Sequence, residues 1–361
     1  MDPVPERARV VIVGGGFAGA ATAFHLAQAG VGDVIILERE ATCGYHASGR
    51  NAGLCRQITD DEVVTGLAIA GAEFLRKPPS GFSQAALLDQ TGSLLLSARP
   101  EALDELAARA ARRDVRHERL PLDRVLSRWP RLTGVPAAGA VYFPTDGVID
   151  IHSLLSGFLT AARGRGARVF QSAEVRRFRP GWGSVTVETS RGNVTAEYVV
   201  NAAGAWAGEI GRRAGAAPLE LTCLHRHLFL TERAPGVDRR APFAWFIDRE
   251  EMYVRPEESG YLISACDGAL SEPCDARVAP DAAAILGDRL RRVAPWLADL
   301  SVARSWACLR TFAADQRPVV GWDPDAPWLF WVAGLGGHGA TTCAAIGRLA
   351  ASDLGRRLQA R

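Results

Sequence analysis

The sequence predicts a two-part α/β fold, in which a nucleotide-binding unit on a parallel sheet is interrupted by a unit on an antiparallel sheet. Three observations predict it. A glycine run, Gly14-Gly15-Gly16-Phe17-Ala18-Gly19, follows a β-branched apolar stretch and opens an Ala-rich one. A second run, Gly334-Leu335-Gly336-Gly337-His338-Gly339-Ala340-Thr341, has the same context near the other end. Between them, residues 224–306 switch to short alternating segments that suit antiparallel strands.

Residues 9–13, Arg-Val-Val-Ile-Val, read as a buried parallel strand. Residues 17–29 follow as a helix stopped by Gly30, and residues 34–37 as a second buried strand ending at Glu38. Strand, glycine turn, helix, strand and terminal acid are the parts of a dinucleotide site. The glycines let the backbone approach a pyrophosphate, the helix N-terminus favours its charge, and an acid 19 positions after Gly19 suits ribose hydroxyls. A merely glycine-rich strand-to-helix turn would not need that acid. Two such loops at opposite ends suggest one long cofactor held at both ends, most simply FAD.

Residues 44–53 are small and polar and read as a loop; residues 63–75 have helical spacing. A short strand at 94–96 follows the Thr91-Gly92 turn, and 100–113 is an exposed helix. Residues 151–163 form an amphipathic helix leading through 167–170 into a strand. Residues 184–189 and 193–200 alternate as an antiparallel hairpin about Arg191-Gly192, and the second arm runs into Asn201-Ala202-Ala203-Gly204-Ala205-Trp206. Small residues there permit close backbone approach to a ligand, or simply a tight strand-helix junction. Short strands at 226–230, 252–255 and 261–264 and a helix at 280–293 precede the final strand, glycine loop and helix of 328–354. The expected division is 1–75, 140–215 and 309–361 for the cofactor-binding part, and 76–139 and 216–308 for the substrate part.

Composition narrows the class. With 361 residues, 48% hydrophobic, the chain can bury a large core, and a net charge of +2 offers no footprint for nucleic acid or an anionic membrane. Lys77 is the only lysine, so arginine abundance reflects coding bias and carries no functional weight. Seven cysteines, Cys43, Cys55, Cys223, Cys266, Cys274, Cys308 and Cys343, lack CxxC spacing, which argues against a metal site and for reduced thiols in a cytoplasmic protein. No apolar run approaches a bilayer span, and the start Met1-Asp2-Pro3-Val4-Pro5 is too polar for a signal peptide.

In family order along nearly the whole chain, Leu37-Glu38-Arg39-Glu40, Gly44-Tyr45-His46 through Gly49-Arg50, Pro78-Pro79-Ser80-Gly81-Phe82, 200–206, 306–315 and 330–339 resemble the flavoprotein superfamily of D-amino-acid oxidases, glycine oxidases and sarcosine oxidases. The likeness is strongest to bacterial D-amino-acid dehydrogenases of the D-arginine dehydrogenase kind. It implies a glutathione-reductase-like, Rossmann-type FAD-binding domain and an inserted antiparallel-sheet substrate domain. It also implies hydride transfer from the substrate α-carbon to flavin N5 with no obligatory protein base. Arg310 then binds the substrate carboxylate through a guanidinium fork, Tyr253 adds a hydroxyl, Arg226 a second basic group, and His338 borders the flavin ring. A salt bridge for Arg310 and a core position for Tyr253 are the bland alternatives. The cofactor set so implied is Gly14, Gly16, Phe17, Ala18, Gly19, Glu38, Arg39, Ser48, Arg50, Asn51, Ala52, Gly53, Val175, Ala203, Gly204, Trp206, Gly336, Gly337, His338, Gly339, Ala340 and Thr341. His46 reads as a polar loop residue.

Three departures matter. Leu54 replaces a histidine of the D-arginine dehydrogenases, and Ser93 aligns near the glutamate that receives the substrate guanidinium, so D-arginine is not the expected substrate. Cys308 stands where glycine precedes the Leu-Arg pair. The sarcosine oxidase branch attaches flavin covalently at a similar cysteine, but the residues that follow resemble the non-covalent branch, so non-covalent FAD is expected. The resulting expectation is an FAD-dependent enzyme oxidising the C–N bond of a small D- or N-substituted amino acid, with oxygen, a quinone or a dye as acceptor. The alternatives are a 2-hydroxy acid oxidase, since 48–53 also resembles the L-2-hydroxyglutarate oxidases, and the flavin subunit of a larger dehydrogenase.

Overall fold

β-Branched runs that bury on both faces form the centre of the first sheet. In the computed structural model, which describes residues 3–359, Leu329–Ala333, Gly192–Asn201, Arg7–Val13, Val34–Leu37 and Arg168–Phe170 lie side by side and parallel. Met1 and Asp2, the first residues of the expected polar start, lie outside the described residues. All four residues of Val34–Leu37 are buried, as a strand covered on both faces requires. Register brings Val13 level with both Leu37 and Asn201, so these strands end together and set Gly14, Glu38 and Ala202 along one sheet edge. Ligands of open α/β sheets bind at this carboxyl edge.

Gly192–Asn201 joins two arrangements. Its first half pairs antiparallel with Ser184–Thr189, which pairs with Val175–Gly181; its second half joins the parallel strands. The expected hairpin is therefore present, within an eight-stranded sheet. The helices Phe17–Gln28 and Gly339–Gln359, one after each glycine loop, pack together through small residues, with Gly347 against Ala21.

The second sheet has nine strands, with Leu221–Thr231 and Val302–Ala313 paired over almost their whole length. It is not wholly antiparallel: Phe243–Phe246 runs parallel to Ser93–Ser97. Alternation within a strand does not encode the direction of its partner, and the long connection between these two supplies the crossover that a parallel pair needs. Gly139–Phe143 also pairs into this sheet, although the sequence division assigned residues from 140 onward to the other part. Likewise the division at 308/309 cuts through one continuous strand, Val302–Ala313. Two helices were not expected, Leu122–Arg128 and Ala207–Ala214. Among the described residues no helix is long and apolar enough to cross a membrane.

Candidate active site

At the carboxyl edge of the parallel strands lies a cleft of about 240 Å³. Gly14 leaves its strand at φ +106, and a Cβ there would collide with the carbonyl of Ala202, so only glycine lets the two crossover turns approach. Gly16 is the N-cap of Phe17–Gln28 and offers no side-chain cap, nor is there an acid in the first turn. Beyond the Phe17 N–H, the helix start is left to a ligand acceptor, which suits a pyrophosphate. Ser48 Oγ accepts the Phe17 N–H at 3.0 Å and folds the 44–53 loop over this turn. Glu38 accepts the N–H groups of Gly15 and Glu40 at 2.8 and 2.9 Å and lines the cleft. Beside it the Arg39 guanidinium stacks on Trp206 at 4.1 Å, and His46 packs on the same indole. At the other end the cleft is lined by Leu309, Gly334, Leu335 and Gly336. These donors, glycines and the acid fit FAD.

A smaller cavity of about 60 Å³ adjoins the cleft and shares Ala47, Asn51, Cys308, Leu309 and Gly336 with it. Strand alternation fills this cavity with basic groups. Leu224 pairs with Arg310 and Arg226 with Cys308, so Arg226, Cys308 and Arg310 project from one face. Tyr253 sits opposite Trp245 on the neighbouring strand pair, their rings 4.9 Å apart. Arg56, arriving from the loop after Leu54–Cys55, stacks on Trp245 at 4.5 Å. All of these except Leu224 line the cavity, together with His338.

The electrostatics are unusual for a protein interior. Arg56 and Arg226 are 8% and 7% exposed, and Arg56 Nε, Arg226 Nε and Nη1 and Tyr253 Oη find no hydrogen-bond partner among the described residues. Burial pushes the Tyr253 hydroxyl up to about 12 against the pull of Arg310 and Arg226, so it keeps its proton and remains a donor. Burial, then the charges of Arg56 and Arg310, push His338 down to about 3, leaving a neutral imidazole. The Cys308 thiol is also raised by burial, even with Arg310, Arg226 and Arg50 pulling the other way.

Arg310, Tyr253, Arg226 and His338, expected to act together, therefore meet in one cavity. Of the expected cofactor set, Gly14, Gly16, Phe17, Ala18, Glu38, Arg39, Ser48, Arg50, Asn51, Val175, Ala203, Gly204, Trp206, Gly336, Gly339 and Ala340 line the cleft. Ala52, Gly337 and His338 line the smaller cavity instead. Gly19, Gly53 and Thr341 line neither. Gly19 packs under the carbonyl of Gly14, Gly53 makes a left-handed turn, and Thr341 hydroxyl donates to Leu54 O, so all three shape the loops from behind. Arg50 lines the cleft but spends its charge on Asp275, at 2.5 Å, tying the loop to the second sheet. Ser93 lies off the cavity, donating to Asp146 at 2.7 Å. Arg56 and Trp245 were missed; in a chain this rich in arginine, one more carries no signal.

A sequence profile described as DAO, FAD dependent oxidoreductase, matches residues 9–352. The mitochondrial dimethylglycine dehydrogenase of Rattus norvegicus is 30% identical over 280 residues, covering 75% of this chain and 31% of the relative. The glycine oxidase of Geobacillus kaustophilus is 28% identical over 371 residues, covering 98% and 94%. The chain spans less than half the length of the mitochondrial dehydrogenases it matches. The solved L-proline dehydrogenase from P. horikoshii superposes with a TM-score of 0.88 at 22% identity, covering 98% of this chain and 95% of that one, a likeness of fold. The profile spans both the cleft and the arginine-lined cavity, and on that match the chain belongs to the FAD-dependent oxidoreductase family.

Proposed function

We propose that the protein oxidises the C–N bond of a small amino acid, D- or N-substituted, to an imine that water hydrolyses to a 2-oxo acid and an amine or ammonia. The carrying observation is the pair of residues with unsatisfied donors, Arg226 and Tyr253, lining with Arg310 a cavity that adjoins the cleft. A guanidinium fork matches a carboxylate. Binding the carboxylate on Arg310 and Arg226, with the protonated Tyr253 donating to it, turns the α-carbon toward the residues shared by the two cavities. FAD held in the cleft would supply the two-electron acceptor for the hydride leaving that carbon. The amine nitrogen releases its proton to solvent, and the protein contributes orientation and charge rather than a base, because burial makes His338 too weakly basic to hold that proton near neutral pH. Relatives named dimethylglycine dehydrogenase and glycine oxidase support an amine over a hydroxy acid.

We place FAD non-covalently. A buried thiol with a raised pKa is a poor nucleophile, and that is the state of Cys308.

Anaerobic mixing of the FAD-loaded protein with panels of amino and 2-hydroxy acids tests the reading. Bleaching of the flavin band by amino acids supports it. Bleaching by hydroxy acids alone overturns it.

A further inference from the structure

Two arginines and a tyrosine suffice for one carboxylate, yet the cavity holds a third guanidinium. Arg56, Arg226 and Arg310 all line it, and none forms an ion pair among the described residues. The acids whose charge reaches them are engaged elsewhere. Asp146 accepts from Ser93 and Gln57, Glu251 from Trp245 Nε1, and Asp267 from His227. Those acids act on the guanidiniums only from a distance and none forms a direct ion pair with them; buried guanidiniums short of direct partners are costly, and a ligand's anionic groups would supply those partners.

Arg56 also occupies a different place from the other two. Arg226 and Arg310 rise from one face of a strand pair, whereas Arg56 comes from a loop and sits over the ring of Trp245, which itself packs on Tyr253. The ring holds the guanidinium in place by a cation–π contact, and its Nε is left without an acceptor.

Resting on the amino acid reading above, we propose that the substrate is a small amino dicarboxylate. Its first carboxylate lies on Arg310, Arg226 and Tyr253, and its second on Arg56. Because Arg56, Arg226 and Arg310 line one small cavity, the spacer between the two carboxylates is a short one.

Calorimetric titration of the FAD-loaded protein with unreactive acids tests this without turnover. Malonate and succinate should bind more tightly than acetate and propionate, by about tenfold or more for one additional charge-assisted pair. Arg56→Gln should abolish that preference, weakening dicarboxylates far more than monocarboxylates and leaving FAD content unchanged, and Arg56→Lys should restore part of it. Equal affinity for both acid classes in the unaltered protein overturns the proposal. So does an Arg56→Gln protein that loses FAD, or that weakens both acid classes alike, because Arg56 then serves the cofactor or the fold. Should Arg56→Gln fail to fold, the comparison of acids on the unaltered protein still decides. Failure of the amino acid reading looks different: dicarboxylates still bind preferentially, but no amine is oxidised.

Discussion

Arg226 pairs directly with Cys308 across two antiparallel strands, which puts Arg310, two residues further along, on the same face as both. Two guanidiniums from residues 84 positions apart are thereby brought to one face by the register of two strands and their alternation.

The first expected outcome concerns Arg310. Arg310→Ala removes a bidentate charge-assisted pair and should lower kcat/KM on a carboxylate substrate by about a hundredfold or more. FAD content should be unchanged, since Arg310 lines the smaller cavity and not the cleft. Unchanged kcat/KM would take Arg310 out of the site.

Gly14 gives a test of the cleft. At φ +106, with the Ala202 carbonyl in the way of a Cβ, Gly14→Ala must push the two turns apart. The purified variant should carry little or no FAD by absorbance, and a variant as yellow as the original would refute the close approach.

Cys308 separates two modes of attachment. Acid precipitation should release the flavin into the supernatant, and Cys308→Ser should retain FAD. A yellow pellet, or a flavin-bearing peptide containing Cys308, would show that the buried thiol reacts after all.

D-Arginine should be a poor substrate. Leu54 lines the cavity, Ser93 is bound to Asp146, and three guanidiniums repel a cationic side chain. Efficient turnover of D-arginine would place an unrecognised acid at the site.

A pH dependence follows from His338 and His25, lowered from 6.5 to about 3 and about 4 respectively, in both cases chiefly by burial. A lowered histidine favours the neutral folded form, so its contribution is fully present above 6.5 and drains as pH falls toward the folded value. Melting temperature should therefore fall between about pH 7.5 and about pH 5, and less steeply in His338→Gln. Parallel profiles for the two proteins would remove His338 from the account.

Much of this molecule was legible in sequence because its determinants are local. Arg7–Val13, Gly14 to Gly19 and Val34–Leu37 form strand, turn and strand from β-branched runs and glycines within one short stretch. The helix Ile151–Arg163 follows from its own apolar spacing. Pairing partners are not local. That Phe243–Phe246 joins Ser93–Ser97 in parallel, and that Gly139–Phe143 belongs to the second sheet, depends on which edges remain free once the chain has collapsed.

The site divides in the same way. The sequence by itself determined the FAD family, through glycines whose spacing is dictated by backbone approach to a phosphate, and its resemblance to that family offered Arg310, Arg226, Tyr253 and His338 as site candidates. Only the tertiary structure decided that these four share one small cavity, that Gly19, Gly53 and Thr341 stand behind the cleft, and that Arg56 joins the cavity through Trp245. An arginine's charge is written in the sequence, but whether that charge lacks a counter-ion depends on every chain segment that packs around it.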